Sequence, residues 1–69
     1  MDRIPVTSSN VAEVGYDSVS MTLEVAFRDG RVYQYFDVPE PIYQELLQAE
    51  SVGKYLNAQI KSSYRYTKI

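Results

Sequence analysis

The sequence predicts a small α+β domain: an antiparallel β-sheet of about three strands with two C-terminal helices packed on one face. Three observations carry this. Two alternating runs, residues 21–28 and 31–38, flank a single Asp29-Gly30 turn signal, the pattern of a β-hairpin. Past Pro39 and Pro41 the apolar spacing changes from every second residue to that of a helix. At 69 residues there is room for one core only, and a chain this short buries only about 60% of its unfolded surface. Nearly everything outside the hairpin must therefore cover one face of it.

In chain order, residues 1–8 read as a flexible arm and 9–69 as the single domain, because Pro5 and then Thr7-Ser8-Ser9-Asn10 form a breaker-rich run. From Val11 the pattern V-A-E-V-G-Y makes a short first strand, with Gly15 marking a bulge or a close backbone approach. Asp17-Ser18 turns the chain. In the next strand Met21, Leu23, Val25 and Phe27 share one face, and Thr22, Glu24, Ala26 and Arg28 the other.

The partner strand has two possible registers. A two-residue loop sets Val25 opposite Gln34 and buries the Gln34 amide. A three-residue loop ending in a left-handed Gly30 sets Phe27 opposite Arg31, Val25 opposite Tyr33 and Leu23 opposite Tyr35. An unpartnered buried amide costs on the order of 1–3 kcal/mol. The residues favour the bulged register, in which Tyr33 and Tyr35 are structural.

Pro41 suits a first helical turn, and Ile42, Tyr43, Leu46, Leu47 and Ala49 form an apolar face behind it. Ser51 reads as the N-cap of a second helix. In that helix Val52, Tyr55, Leu56 and Ile60 fall on one stripe, with Lys54, Asn57, Ala58 and Lys61 on the other. The closing S-S-Y-R-Y-T-K-I reads either as a frayed tail or as a short strand added to the sheet edge.

Composition narrows the chemistry. The chain has neither cysteine nor histidine, so disulfides, Cys/His metal sites, the thiol nucleophile and the commonest general base are all excluded. No nucleophile–base pair presents itself among the remaining residues, and the expectation is a non-enzymatic protein with no cofactor and no metal. The N-terminus lacks the apolar run of a signal peptide, and no apolar stretch is long enough for a membrane span. A cytoplasmic protein is the default expectation.

Charge is divided unevenly. Residues 1–50 hold nine acids and three bases, a net of −6, whereas residues 51–69 hold four bases and no acid, a net of +4. The basic pole is compact. Within it, Ser51-Val52-Gly53-Lys54 places a glycine and a cation at a helix start, where both are normally disfavoured. The segment reads either as an anion site, with Ser51, Gly53 and Lys54 around a phosphate, or as a close-packing glycine beside a solvated lysine. Across this end Lys54, Tyr55, Lys61, Tyr64, Arg65, Tyr66 and Lys68 interleave rings and cations, a composition suited to single-stranded nucleic acid: rings stack on bases and cations meet phosphates, and Asn57 is a further candidate contact among them.

The segments F-R-D-G-R-V-Y-Q-Y-F-D-V-P, A-E-S-V-G-K-Y-L-N and I-K-S-S-Y together resemble the KTSC domain, named after the C-terminus of some lysyl-tRNA synthetases and also found as a stand-alone bacterial protein. The resemblance covers about residues 9–66. Tyr33 and Tyr35 match its central Tyr-x-Tyr, Val38 and Pro39 its Val-Pro, and Ser51, Gly53, Tyr55 and Asn57 its Ser-x-Gly-x-Tyr-x-Asn segment. Leu56 stands where many relatives carry phenylalanine. The synthetase link implies RNA binding. The leading expectation is thus a module binding RNA, weakly and salt-sensitively, through the basic end. The competing one is a protein-interaction module that uses the sheet edge or the acidic first half.

Overall fold

In the computed structural model, which describes residues 1–69, five strands form one antiparallel sheet in the order β1-β2-β3-β4-β5. They are β1 (Arg3–Pro5), β2 (Val11–Asp17), β3 (Thr22–Phe27), β4 (Val32–Tyr35) and β5 (Tyr66–Lys68). Between β4 and β5 the chain makes helix α1 (Glu40–Gln48), the short helix α2 (Val52–Tyr55) and a π-helical turn (Leu56–Ile60). The α+β class and the two helices are as expected. The sheet is larger than expected, with five strands rather than about three. The two additional strands come from the chain ends, each three residues long. So short a strand shows no usable alternation. Pro5, which reads as a breaker, sits on an edge strand where its missing N–H leaves no ladder bond unmade.

The hairpin takes the bulged register, with Leu23 opposite Tyr35, Glu24 opposite Gln34 and Val25 opposite Tyr33. Gly30 is left-handed, with φ 96°, and its amide donates to the Phe27 carbonyl at 3.0 Å while the Phe27 amide donates to Arg31 at 2.8 Å. An L-side chain at Gly30 would be strained. The outcome follows from keeping Gln34 off the core face.

Strand β2 uses both devices that Gly15 was expected to mark, at different positions. The register slips between Val11 and Glu13. This bulge brings Val11 and Val14 onto the same core face although they are three residues apart, and both are fully buried. Gly15 is the close approach. A Cβ there would collide with the Asp2 carbonyl oxygen and lie 3.0 Å from Arg3 Cγ.

Met21 differs from expectation. It stands outside β3 with φ 55°, exposed, and its carbonyl accepts the Val38 amide at 2.9 Å. Strand β3 itself is more buried than simple alternation implies, since Thr22, Glu24 and Ala26 on its outer face are buried too. Long side chains lie over it. Arg3 Nη1 donates to Glu24 Oε2 at 3.2 Å and Gln34 Nε2 donates to Glu24 Oε1 at 2.8 Å. Arg3 Nε also pairs with Glu13 at 3.2 Å. Arg3 crosses Gly15 to reach Glu24, so its stem crowds Gly15 in addition to the Asp2 carbonyl.

The helices cover the other face. Val11, Val14, Leu23, Val25 and Tyr35 from the sheet meet Leu46, Val52, Leu56 and Ile60 from the helical segments, with Val38 between them, in one buried cluster. Each such aliphatic side chain contributes roughly 1.5–3 kcal/mol by leaving water. Tyr16 ties the sheet to the α1 approach, its hydroxyl donating to the Val38 carbonyl at 2.5 Å and its ring stacking on Tyr43 at 5.0 Å. No helix is long and apolar enough to cross a membrane.

Candidate functional site: a tyrosine-lined cleft

Pairing of β4 with β5 sets Tyr35 opposite Tyr66 and Tyr33 opposite Lys68. Residues opposite one another in an antiparallel ladder share a face, so these four stand on the side of the sheet that the helices cover. The helices do not reach across all of it. A cleft of about 190 Å³ is left between β4, β5 and the π turn.

Three tyrosines form one wall of the cleft. The Tyr66 ring lies 5.8 Å from both Tyr33 and Tyr35, which are themselves 6.5 Å apart and nearly parallel. Phe27 meets Tyr33 edge-on at 5.9 Å, and the Arg31 guanidinium sits 5.5 Å over the Phe27 ring. Across from these rings Asn57 and Lys61 project from the π turn, and Asn10 comes from the β1–β2 loop.

The π turn follows directly from the backbone: the Lys61 amide donates to the Leu56 carbonyl five residues back, at 2.9 Å. It buries Leu56 and Ile60 in the core and leaves Asn57 and Lys61 exposed on the cleft side. Turns of this kind recur at functional sites.

No carboxylate lines the cleft. Arg31 is already engaged, its Nε donating to Asp29 at 2.7 Å. Lys61 has no ion-pair partner, and neither does Lys68, which stands on the same face beside Tyr33. The hydroxyls of Tyr16 and Tyr55 are bonded within the chain, to Val38 and to Glu45, whereas those of Tyr35 and Tyr66 have no partner in the protein. No side-chain polar atom is left both buried and unpartnered, so the Tyr35 hydroxyl opens into the cleft although the residue is only 2% exposed. Burial, and then the neighbouring Tyr33 and Tyr66, push the Tyr35 hydroxyl above its ordinary range. It stays neutral near pH 7 and can donate.

The basic residues of the C-terminal segment do not form a single surface. Asn57, Lys61 and Tyr66 are brought together in the cleft, with Lys68 alongside. Tyr64 packs half-buried against the core. Arg65 turns away, donating to Asp37 at 2.9 Å and lying 5.5 Å over Phe36.

Ser51, Gly53 and Lys54 do not build the anion cradle that the sequence allowed. The Ser51 hydroxyl accepts the Lys54 amide at 3.2 Å as a helix cap. Gly53 is buried, and a Cβ there would stand 2.8 Å from Asn10 Oδ1 and 3.6 Å from Ser8 Oγ. Lys54 is exposed on a shallow depression that it shares with Glu50. The close-packing alternative describes Gly53 correctly, the neighbour being the Ser8–Asn10 loop rather than the sheet.

Three lining residues escaped the sequence reading: Asn10, Phe27 and Arg31. The last two were within reach, because the bulged register sets them opposite each other at the hairpin's end. Tyr33 and Tyr35, read as structural, support the core and also form the cleft wall.

A meander of five short strands, covered on one face by helices that leave a ring-walled cleft, defines a small α+β module. The chain belongs to the KTSC domain family, whose domain matches residues 7–64. The crystal structure of a KTSC domain protein from Yersinia pestis superimposes with a TM-score of 0.94 at 39% identity, covering 99% of this chain and 96% of that one. An uncharacterized protein of Stutzerimonas stutzeri is 40% identical over 70 residues, spanning all of this chain and 99% of its own length. A lysine–tRNA ligase of Trichormus variabilis is 38% identical over 61 residues, 88% of this chain and 11% of that enzyme.

Proposed function

We propose that this protein is a non-enzymatic module that binds RNA through the tyrosine-lined cleft and the cations beside it. One observation carries the reading: Tyr66, Asn57 and Lys61 converge on a cleft with no carboxylate, in a chain whose net charge is −2. Rings that stack on bases and ammonium groups that meet phosphates are the two elements single-stranded nucleic acid requires. A related segment within a lysine–tRNA ligase, an enzyme that acts on tRNA, supports the same reading. Two unpaired lysines on an acidic molecule give weak attachment with a shallow salt dependence, because few counterions are released.

The test is an NMR titration with a short unstructured RNA at low and at high salt. Amides around Asn57–Lys61 and Tyr66–Lys68 shift at low salt, and the shifts shrink as salt is added. Absence of binding at low salt removes the reading and leaves capture of a protein partner through the sheet edge or the acidic half as the expectation to pursue. The edges are β1 and β5, each three residues long. Edge strands this short present few free backbone groups.

A further inference from the structure

We infer that the cleft holds one unpaired nucleobase, so that the protein selects single-stranded RNA, or a loop or end, over a duplex. The inference rests on the RNA reading above and adds which part of the RNA enters the protein.

Size comes first. A cleft of about 190 Å³ lies below the several hundred Å³ of sites for drug-sized ligands, and it suits one planar ring system. Chemistry comes second. One wall is aromatic, with Tyr66 58% exposed and backed by two further rings at 5.8 Å. The unspent polar groups include the hydroxyls of Tyr35 and Tyr66 and the Asn57 side-chain amide, which donates and accepts at once. A base presents the complementary surfaces: a flat π-face for the rings, and an edge of mixed donors and acceptors for the amide and hydroxyl.

A bare phosphate would use Lys61 and leave the rings and the Asn57 amide unused. Lys61 lines the cleft and Lys68 stands on the same sheet face opposite Tyr33, cations for the phosphates of an inserted nucleotide. In a duplex the base faces are stacked and their pairing edges occupied, so a site this narrow receives a base only after the strand has been opened.

The experiment is fluorescence anisotropy at low salt with three probes: a short labelled single-stranded RNA of mixed sequence, a blunt duplex containing the same strand, and inorganic polyphosphate as competitor. The single strand binds roughly tenfold or more tighter than the duplex, and polyphosphate displaces it poorly. Tyr66→Ala removes most of that preference, whereas Tyr66→Phe keeps it, the ring being what matters. Tyr66 is exposed on an edge strand, and circular dichroism on each variant checks that the fold is retained. Tyr35→Phe, which deletes only a hydroxyl, weakens the single strand severalfold. Equal binding of single strand and duplex, ready displacement by polyphosphate, or a Tyr66→Ala protein that keeps its preference overturns base insertion while leaving RNA binding in place. Failure of every RNA to bind overturns both.

Discussion

The two faces of this sheet carry polar side chains to different ends. On the outer face Arg3, Glu24 and Gln34 lie across the strands and satisfy one another, Glu24 accepting at 3.2 Å from one side and 2.8 Å from the other. Glu24 is only 8% exposed as a result. On the helix-covered face Tyr35, Asn57 and Lys61 all line the cleft, and none bonds another. A network whose hydrogen bonds are made internally contributes to stability and has little left for a ligand. Groups whose capacity is unspent contribute little to folding and are free to bind. Charge alone does not distinguish the two regions, but hydrogen-bond partners do.

Substitutions should separate along that line, costing stability on one face and binding on the other. The largest effect is expected at Gly15. A valine there meets the Asp2 backbone and the Arg3 stem, displaces β1 and uncovers Glu24. Overpacking of this kind costs about 1–3 kcal/mol, read as a lower urea midpoint, and RNA affinity of the folded fraction stays unchanged. Glu24→Ala comes next. It leaves the Arg3 guanidinium and the Gln34 amide partly buried without their shared acceptor, a loss of about 1–3 kcal/mol in the same measurement. A midpoint equal to wild type in either variant would show that the outer network is ornamental.

Alkaline titration tests the buried tyrosines. Burial raises the hydroxyls of Tyr16, Tyr35 and Tyr43 above 10.0, and desolvation together with the hydrogen bond to Glu45 pushes Tyr55 up to about 12. Below the unfolded value both states hold these protons. Above it the unfolded chain releases them first, so it binds fewer protons than the folded one. Stability is therefore fully present below pH 10 and falls as pH rises from there toward 12. Urea midpoints that stay flat through this window would contradict the assignment.

The smallest effects on stability are expected in the C-terminal cations. Lys61→Glu shifts the urea midpoint by no more than about 0.5 kcal/mol in free energy, while it weakens RNA binding by placing a carboxylate in a cleft that has none. Arg65→Ala breaks an ion pair whose partners are 77% and 70% exposed. It costs less than about 1 kcal/mol and leaves RNA binding nearly intact, because Arg65 faces Asp37 and not the cleft. If Arg65→Ala weakens binding as much as Lys61→Glu, the docking surface extends beyond the cleft.

The hairpin was legible down to its register, since Asp29-Gly30 limits the loop to two geometries and one of them buries the Gln34 amide. The helical stripes were equally legible. Val52, Leu56 and Ile60 are buried, and Lys54, Asn57, Ala58 and Lys61 are exposed, as their spacing requires. Strand β1 was not legible, and β5 was legible only as one of two readings of the tail, because each is created by its neighbour and not by its own three residues. The anion reading of Ser51, Gly53 and Lys54 failed for a related reason. A glycine at a helix start looks the same in sequence whether a ligand or another loop approaches it, and only the fold shows that Ser8 and Asn10 occupy the space.

Local chemistry alone therefore determined the α+β class, the bulged turn and which helical residues face inward, because turn geometry and the burial of apolar area act over a few residues. Tertiary structure decided which charges stand together. A surface lysine or arginine is tolerated almost anywhere, so nothing in the run from Lys54 to Lys68 says that Lys61 will meet three tyrosines while Arg65 turns to Asp37. That division was set when β5 docked against β4, placing Tyr66 and Lys68 on the helix-covered face.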